Sequence, residues 1–563
     1  MSERAEAECG IASWVTTALV MVLVTALFSL LWTDGIQGWH ALVGADCVLR
    51  GRIPYRDFWT MYAPGHFYLL AGLFALFGKH VIVSSIFATL FCAIAAGAVH
   101  RLGLLLSGRS LPALALVGLF VAAFFFSEYF ASLGTYPPAI TCVVIALVAF
   151  VRALPGPGGR GLAAAGAAAG LAALFKHDVG AYACVAMATG LLVYQLLAEA
   201  PADGRLRSTL RRVAVLGVWA AIPVVAAVLL LAPFAASQMY EQTIRFPAQD
   251  FQYTRGEYYP RWLPDGVLDP DLSIRARAVR WGAYISFLFP MLVWAVGGLT
   301  TLLAGWRHSA RLTALGAALA VAWLFHHFAA HVQVNTHIVS LTFYAGATGI
   351  VALQVVRARA SKSVGRWVSA GALLVAAVWM ASLAAKPGNN LLWRLGTRHE
   401  RTSLEGRTCG GILSLPEDAA TIGRLQELVE QHVPPGAAIF VGEHRHDVVV
   451  TGKAYLYFVL DRPVAGRYYE IHPGVVDRPQ AQGEIILELQ RLRTPLIILG
   501  TSMGDDELAD MLEYMRRHLP GVGATDLDKY IKEKYELQEH VGRFRVHLRR
   551  PSSEDPVAGN SES

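Results

Sequence analysis

Charge is scarce in this chain. Only 16% of its 563 residues are Asp, Glu, Lys or Arg, while 55% are hydrophobic. Soluble domains carry about 25% charged residues, so an ordinary cytoplasmic protein is excluded. Cysteine is thin as well. The six cysteines include no Cys-x-x-Cys pair, so neither a metal cluster nor a disulfide framework is indicated. Cys92, Cys142 and Cys184 lie in apolar runs, where a free thiol acts as a small hydrophobe. The glycine-rich stretch Arg160–Gly170 is not followed by Lys-Ser/Thr. It is therefore no phosphate loop and reads as small-residue helix packing in lipid. His326, His327, His331 and His337 crowd one turn without an HExxH pattern, which leaves zinc weakly supported. Repeated halves of the kind many transporters carry are not visible. A net charge of +6 is modest for this length and gives no reason to propose nucleic acid.

What is abundant is apolar sequence in blocks long enough to cross a membrane, which takes about 20 residues. Runs centred on 11–32, 81–106, 111–127, 137–153, 162–176, 179–198, 213–234, 282–304, 312–330, 338–356 and 367–385 predict eleven crossings. The first is too long for a signal peptide and lacks a small-residue cleavage motif, so it reads as a retained span. Four links are basic: Arg152 with Arg160; Arg205, Arg207, Arg211 and Arg212; Arg307, His308 and Arg311; and Arg357, Arg359, Lys362 and Arg366. Placing all four in the cytoplasm puts the N-terminus inside and loops 33–62 and 235–281 outside, together with everything after 386. Residues 64–78 are apolar but reach only about 23 Å as a helix, so they predict a short helix tucked into the outer leaflet or a broken first half of the next element. Residues 386–563 change character: runs at 438–442, 495–500 and 541–548 read as strands, and 417–432, 482–491 and 505–518 as amphipathic helices. The expectation is a polytopic α-helical membrane domain over 1–385 carrying a small external α/β domain over 386–563.

The polar residues of the outer side are the candidates for chemistry. Asp34 stands just beyond the first span, between Trp32 and Trp39. It reads either as a solvated loop acid or as a general base that takes a proton from an acceptor hydroxyl. Asp46 and Asp57 share its loop with Arg50, Arg52 and Arg56 and read as metal ligands or as salt-bridge partners. Glu128 follows three phenylalanines at the outer end of a span and faces the same side as Asp34. Lys176, His177 and Asp178 form either a phosphate-holding cluster or a charged hairpin turn. The loop 235–281 holds Arg245, Arg255 and Arg261 among its arginines, interleaved with Tyr258 and other rings. Guanidinium groups fit phosphate oxygens bidentately; headgroup contact and local salt bridges are the alternative.

Over roughly residues 10–385 the pattern resembles the membrane-embedded glycosyltransferases of the GT-C class, nearest to the protein-mannosyltransferase-like branch of family 39. The residues that carry the resemblance are Asp34, Gly51-Arg-Ile-Pro-Tyr-Arg-Asp57, Tyr62-Ala-Pro-Gly65 and Leu76-Phe-Gly78. It implies a GT-C-like fold of about 11 transmembrane helices in a bacterial inner membrane. It also implies transfer of one sugar from a polyprenyl-phosphate donor to an extracytoplasmic hydroxyl on a cell-envelope glycan, glycolipid or protein. Asp34 matches the proposed base, and Glu128 the acid that in some relatives helps place a metal (Mg or Mn, shared with Asp34) or the donor phosphate. Arg56, Lys176, Arg245, Arg255 and Arg261 are then candidates for the phosphate, and Tyr55, Asp57, Tyr62, His177, Asp178 and Tyr258 for the acceptor or sugar. Direct attack at the anomeric carbon implies inversion, since no second carboxylate is needed for a covalent sugar. The chain departs from the pattern in having Asp34-Gly35 where many relatives have two acids. It also has Tyr62-Ala-Pro where they have Lys-Pro-Pro, so the phosphate contact shifts to Arg56 or Lys176. A lipid-linked glycan polymerase or ligase is the alternative, and a lipid or glycan transporter a more distant one. The stretch Arg467–Gly474 occurs in some bacterial relatives without an assigned chemistry.

Overall fold

A computed structural model describes the chain except for residues 1–9, 37–38, 127–131, 157–158, 198–204, 255–273, 306–308, 331–333, 451–452, 501–503 and 552–563. The first two-thirds is helical: α1 (Ile11–Ser29), α2 (Trp39–Leu49), α3 (Gly65–Phe77), α4 (Val81–Ser107), α5 (Ser110–Phe126), α6 (Tyr136–Ala153) and α7 (Gly159–Phe175). There follow α8 (His177–Leu197), α9 (Arg205–Tyr240), α10 (Phe246–Gln249), α11 (Ile274–Thr300), α12 (Ala310–Ala330), α13 (Val334–Arg359) and α14 (Lys362–Gly396). Among the described residues nine helices are long and apolar enough to cross a membrane: α1, α4, α6, α8, α9 and α11 to α14. α5 and α7, expected as spans, have 17 residues each, the lower limit for crossing. α3 has 13 residues and is too short to cross, at about 20 Å.

Sequence accounts for several of the ends. Pro137 and Pro138 occupy the first turn of α6, where a missing N–H costs nothing. Gly108 closes α4 at φ 65°, the left-handed cap that glycine adopts without strain. Arg212 Nη2 donates to the carbonyl oxygens of Ala153 and Leu154 at 3.1 and 2.8 Å, and Arg311 Nη2 to that of Val151 at 3.4 Å. Three of the basic links thus meet at one end of the bundle, where guanidiniums satisfy the unpaired carbonyls of a helix C-terminus. The small-residue reading of Arg160–Gly170 holds. A Cβ on Gly166 would lie 2.2 Å from the Leu216 carbonyl oxygen, and one on Gly170 2.2 Å from that of Ala220, so α7 and α9 touch backbone to backbone.

The C-terminal region is α/β. After a two-stranded ladder of β1 (Thr402–Ser403) and β2 (Leu413–Ser414), a four-stranded sheet forms from β3 (Phe440–Glu443), β4 (Leu496–Gly500), β5 (Tyr535–Val541) and β6 (Phe544–Arg549). Its order is β3-β4-β6-β5, with β3 parallel to β4 and the other pairs antiparallel. β4 is buried along its whole length, as its unbroken Leu-Ile-Ile-Leu run requires. The single closing strand expected over 541–548 is a hairpin instead, turning at Gly542 with φ 56°. One apolar core joins this region to α2, α3 and the loop between them. Phe58 packs against Phe67 and Tyr469 (ring centroids 5.5 and 5.8 Å), and Phe74 against Phe458 (5.5 Å). α2, α3 and loop 50–62 are therefore the floor on which the C-terminal region sits.

Candidate functional site

Asp34 lies five residues past the end of α1 and is 9% exposed. Backbone contacts fix it: Gly35 N donates to Leu413 O (3.1 Å) and Leu413 N to Thr33 O (2.7 Å), which seats β2 against the turn. Both carboxylate oxygens accept from arginines distant in sequence. Arg394 Nη1 reaches Oδ2 at 3.0 Å, and Arg401 Nη1 reaches Oδ1. A third, Arg398, donates to Thr33 Oγ1 at 3.2 Å. Leu30, Leu31, Leu395 and Leu413 line the small cleft beside them.

The loop before α3 is braced rather than open. Asp57 accepts from Nε and Nη2 of Arg56, both at 2.7 Å, and from the Ile53 N–H at 2.8 Å, and Arg56 holds its carboxyl below the usual carboxylate range. Tyr55, expected to meet the acceptor, is 1% exposed, and its hydroxyl donates to Tyr62 O at 3.0 Å. It sits at φ 71°, a strained setting for a bulky residue. Gln242 and Arg467 hold it by donating to its carbonyl oxygen at 3.0 and 2.8 Å. Asp46 resolves as a salt-bridge partner. It meets Arg50 at 3.0 Å and Lys79 at 2.8 Å, and Lys79 bridges to Asp461 of the C-terminal region at 2.6 Å.

A second polar cluster gathers on the same side. Lys176 Nζ donates to both oxygens of Asp178 (2.9 and 2.8 Å) and lies 5.0 Å over the Tyr136 ring. His177 opens α8 beside them, and Asp178 accepts the Val179 N–H. Tyr182 and Tyr344 flank His326, each with its ring 5.2 Å away. A Cβ on Gly65 would lie 2.6 Å from Leu174 O, so the Pro64-Gly65 turn presses the start of α3 onto the end of α7. Next to that turn the Tyr62 ring lies 4.9 Å from His40, tilted, and 6.2 Å from His66, edge-on.

Of the arginines proposed for phosphate, Arg245 is exposed and bound to Glu241 at 2.6 Å. Glu128, Arg255, Tyr258 and Arg261 lie outside the described residues. The groups around Asp34 do not fit a divalent cation, which would meet two guanidinium charges already bound to both oxygens. Among the described residues no three His, Cys, Asp or Glu side chains converge as a metal site. The sequence reading missed Arg394 and Arg401, whose one signal is the run of arginines at 394, 398 and 401 just beyond the last apolar stretch. It also left the Arg467–Gly474 stretch without a role. Arg467 holds Tyr55, Trp59 N donates to Arg467 O (2.9 Å), and the Tyr469 hydroxyl donates to His40 O (3.3 Å).

No family model matches the chain, and no curated protein matches it. Among solved structures it is similar to ArnT from Cupriavidus metallidurans bound to undecaprenyl phosphate, with TM-score 0.52 and 13% identity over 96% of this chain and 100% of that one. The apo state of the same protein gives TM-score 0.47 at 13% identity over 96% and 99%. Arabinosyltransferase EmbB from Mycobacterium smegmatis gives 0.40 at 16% identity over 69% and 42%. The fold is GT-C-like. At this identity the likeness establishes architecture, with both the helical bundle and the C-terminal region included in the match.

Proposed function

We propose that the chain is a membrane glycosyltransferase of the family-39 type. It transfers one sugar, with inversion, from a polyprenyl-phosphate donor to an extracytoplasmic hydroxyl. The observation that carries this reading is the end-to-end likeness to an ArnT structure that holds undecaprenyl phosphate. Support comes from Asp34, which sits at the outer end of α1 beneath the C-terminal region, on the side where Lys176, Asp178 and Tyr62 also gather. In this reading α5 and α7 cross with the nine longer helices, giving eleven crossings in a bacterial inner membrane, the N-terminus inside and residues 386–563 outside. The polyprenyl tail lies against the apolar flanks of the bundle, and its phosphate meets cationic side chains that stabilise the charge developing on the leaving group. Asp34 takes the acceptor's proton as the hydroxyl oxygen attacks the anomeric carbon. Arg394 and Arg401 each take one carboxylate oxygen without substrate, so the acceptor hydroxyl approaches a second lone pair or displaces one of them.

The test is transfer of labelled sugar by the purified protein. Asp34→Asn keeps the volume and one acceptor oxygen but loses the base, so turnover falls about 10²-fold or more while the donor still binds. Near-normal turnover in this variant removes Asp34 from the mechanism.

A further inference from the structure

We propose that Arg394, Arg398 and Arg401 form a binding site for the phosphate of a membrane lipid, and that the Asp34 carboxylate occupies this site in the ligand-free chain. Arg394 lies in the last turn of α14, which ends at Gly396, and the 3-10 turn Arg398–Glu400 carries Arg398 and Arg401 round beside it. Two of these positive charges meet on Asp34, and the third, Arg398, lies beside it on Thr33 Oγ1. The neighbouring Glu400 is turned instead toward His399, at 3.6 Å. A carboxylate has two oxygens to offer these forks; a phosphate group has more, in the geometry that guanidiniums match bidentately. Arg401 has donor capacity left over. Its side chain is 8% exposed, and its Nε is buried without a hydrogen-bond partner, a state that costs free energy until an acceptor arrives.

The surroundings specify a lipid. The cleft walls are Leu30, Leu31, Leu395 and Leu413. Leu392 and Trp393, immediately below on α14, are 71% and 54% exposed. α1 and α14 both present mostly unburied apolar flanks, so a tail reaching this cleft runs along them. Five residues past a membrane-length helix is also headgroup depth. Identifying the lipid as the sugar donor rests on the glycosyltransferase reading; the phosphate site itself does not. If the donor is the ligand, its phosphate draws the guanidiniums from Asp34 and frees the base as it binds, which couples catalysis to donor binding.

The experiment is a binding titration of the full chain in phosphatidylcholine nanodiscs with polyprenyl phosphate, and in parallel with phosphatidylglycerol and inorganic phosphate. Arg398 is exposed, so Arg398→Ala leaves the fold intact. This variant and Arg394→Gln are each expected to weaken polyprenyl phosphate binding about tenfold. Asp34→Asn is expected to strengthen it several-fold, because the competing carboxylate is gone. Preference for polyprenyl phosphate assigns the site to the donor, and equal binding of phosphatidylglycerol assigns it to bilayer lipid. Unchanged affinity in both arginine variants, weaker binding in folded Asp34→Asn, or equal binding of inorganic phosphate overturns the proposal. Because the readout is binding, a chain that binds in this way yet transfers no sugar counts against the proposed function alone.

Discussion

At the scale of single residues, burial and pairing decide what a side chain does. Asp34 was singled out by its position after α1, but nothing near it in sequence announces that its oxygens are held by residues 360 and 367 positions away. Asp477 shows the opposite case, a buried acid short of partners. Its Oδ2 accepts the Gly474 N–H at 2.9 Å, and its Oδ1 has none. Burial pushes its carboxyl up to about 6, against the pull of the Gly474 N–H and of Arg478. A folded-state value above the unfolded one, about 3.9, means the folded chain holds the proton more tightly. The stabilising contribution is complete below about pH 4 and is lost as pH rises through about 6, by at most about 3 kcal/mol. Asp477→Asn retains an acceptor for Gly474 and removes the charge. The decline in thermal midpoint between pH 4 and pH 6.5 is therefore expected to be shallower in the variant than in the parent, in matched detergent. Parallel curves for the two would show that Asp477 is not the group responsible.

At the scale of elements, apolar length was readable and packing distance was not. The run Arg160–Gly170 carries its small residues in the sequence, yet only the structure shows that Gly166 and Gly170 meet the α9 backbone while Gly217 faces open space. Alanine at Gly166 or Gly170 forces the two helices apart, at a cost of about 1–3 kcal/mol each. Lowered thermal midpoints in detergent are expected for both, and no change for Gly217→Ala. Equal behaviour of all three would dissolve the backbone-contact argument. The hairpin of β5 and β6 was read as one strand because Tyr535–Val541 is polar and mostly exposed; a solvent-facing edge strand carries little of the alternation that marks a buried one. α9 was read to end near 234, but it continues past Pro233 through a non-helical Ala235. The kink and the π-helical segment Glu241–Arg245 then bring Gln242 under loop 50–62.

At the scale of the whole molecule, the C-terminal region packs onto α2, α3 and loop 50–62, which makes its sidedness testable. Ser208 and Ser403 are both exposed, the first in the basic link at the start of α9 and the second in β1. With an impermeant thiol reagent on intact cells, Ser403→Cys is expected to label and Ser208→Cys only after permeabilisation; equal labelling would end the eleven-crossing topology. The sequence by itself determined the membrane setting, the positions of the apolar helices and the two buried strands. These are local properties: a span is declared by about 20 consecutive residues that water rejects, and a buried strand by a short apolar run between turns. Only the tertiary structure decided which acid meets which cation. Asp46 went to Arg50 and Lys79, Asp57 to Arg56, Asp178 to Lys176 and Asp34 to Arg394 and Arg401. A carboxylate taken out of water must be paired by whatever cation the fold brings within reach; for Asp34 with Arg394 and Arg401, and for Lys79 with Asp461, that choice is made by the packing of the C-terminal region onto the end of α1 and onto α2 and α3.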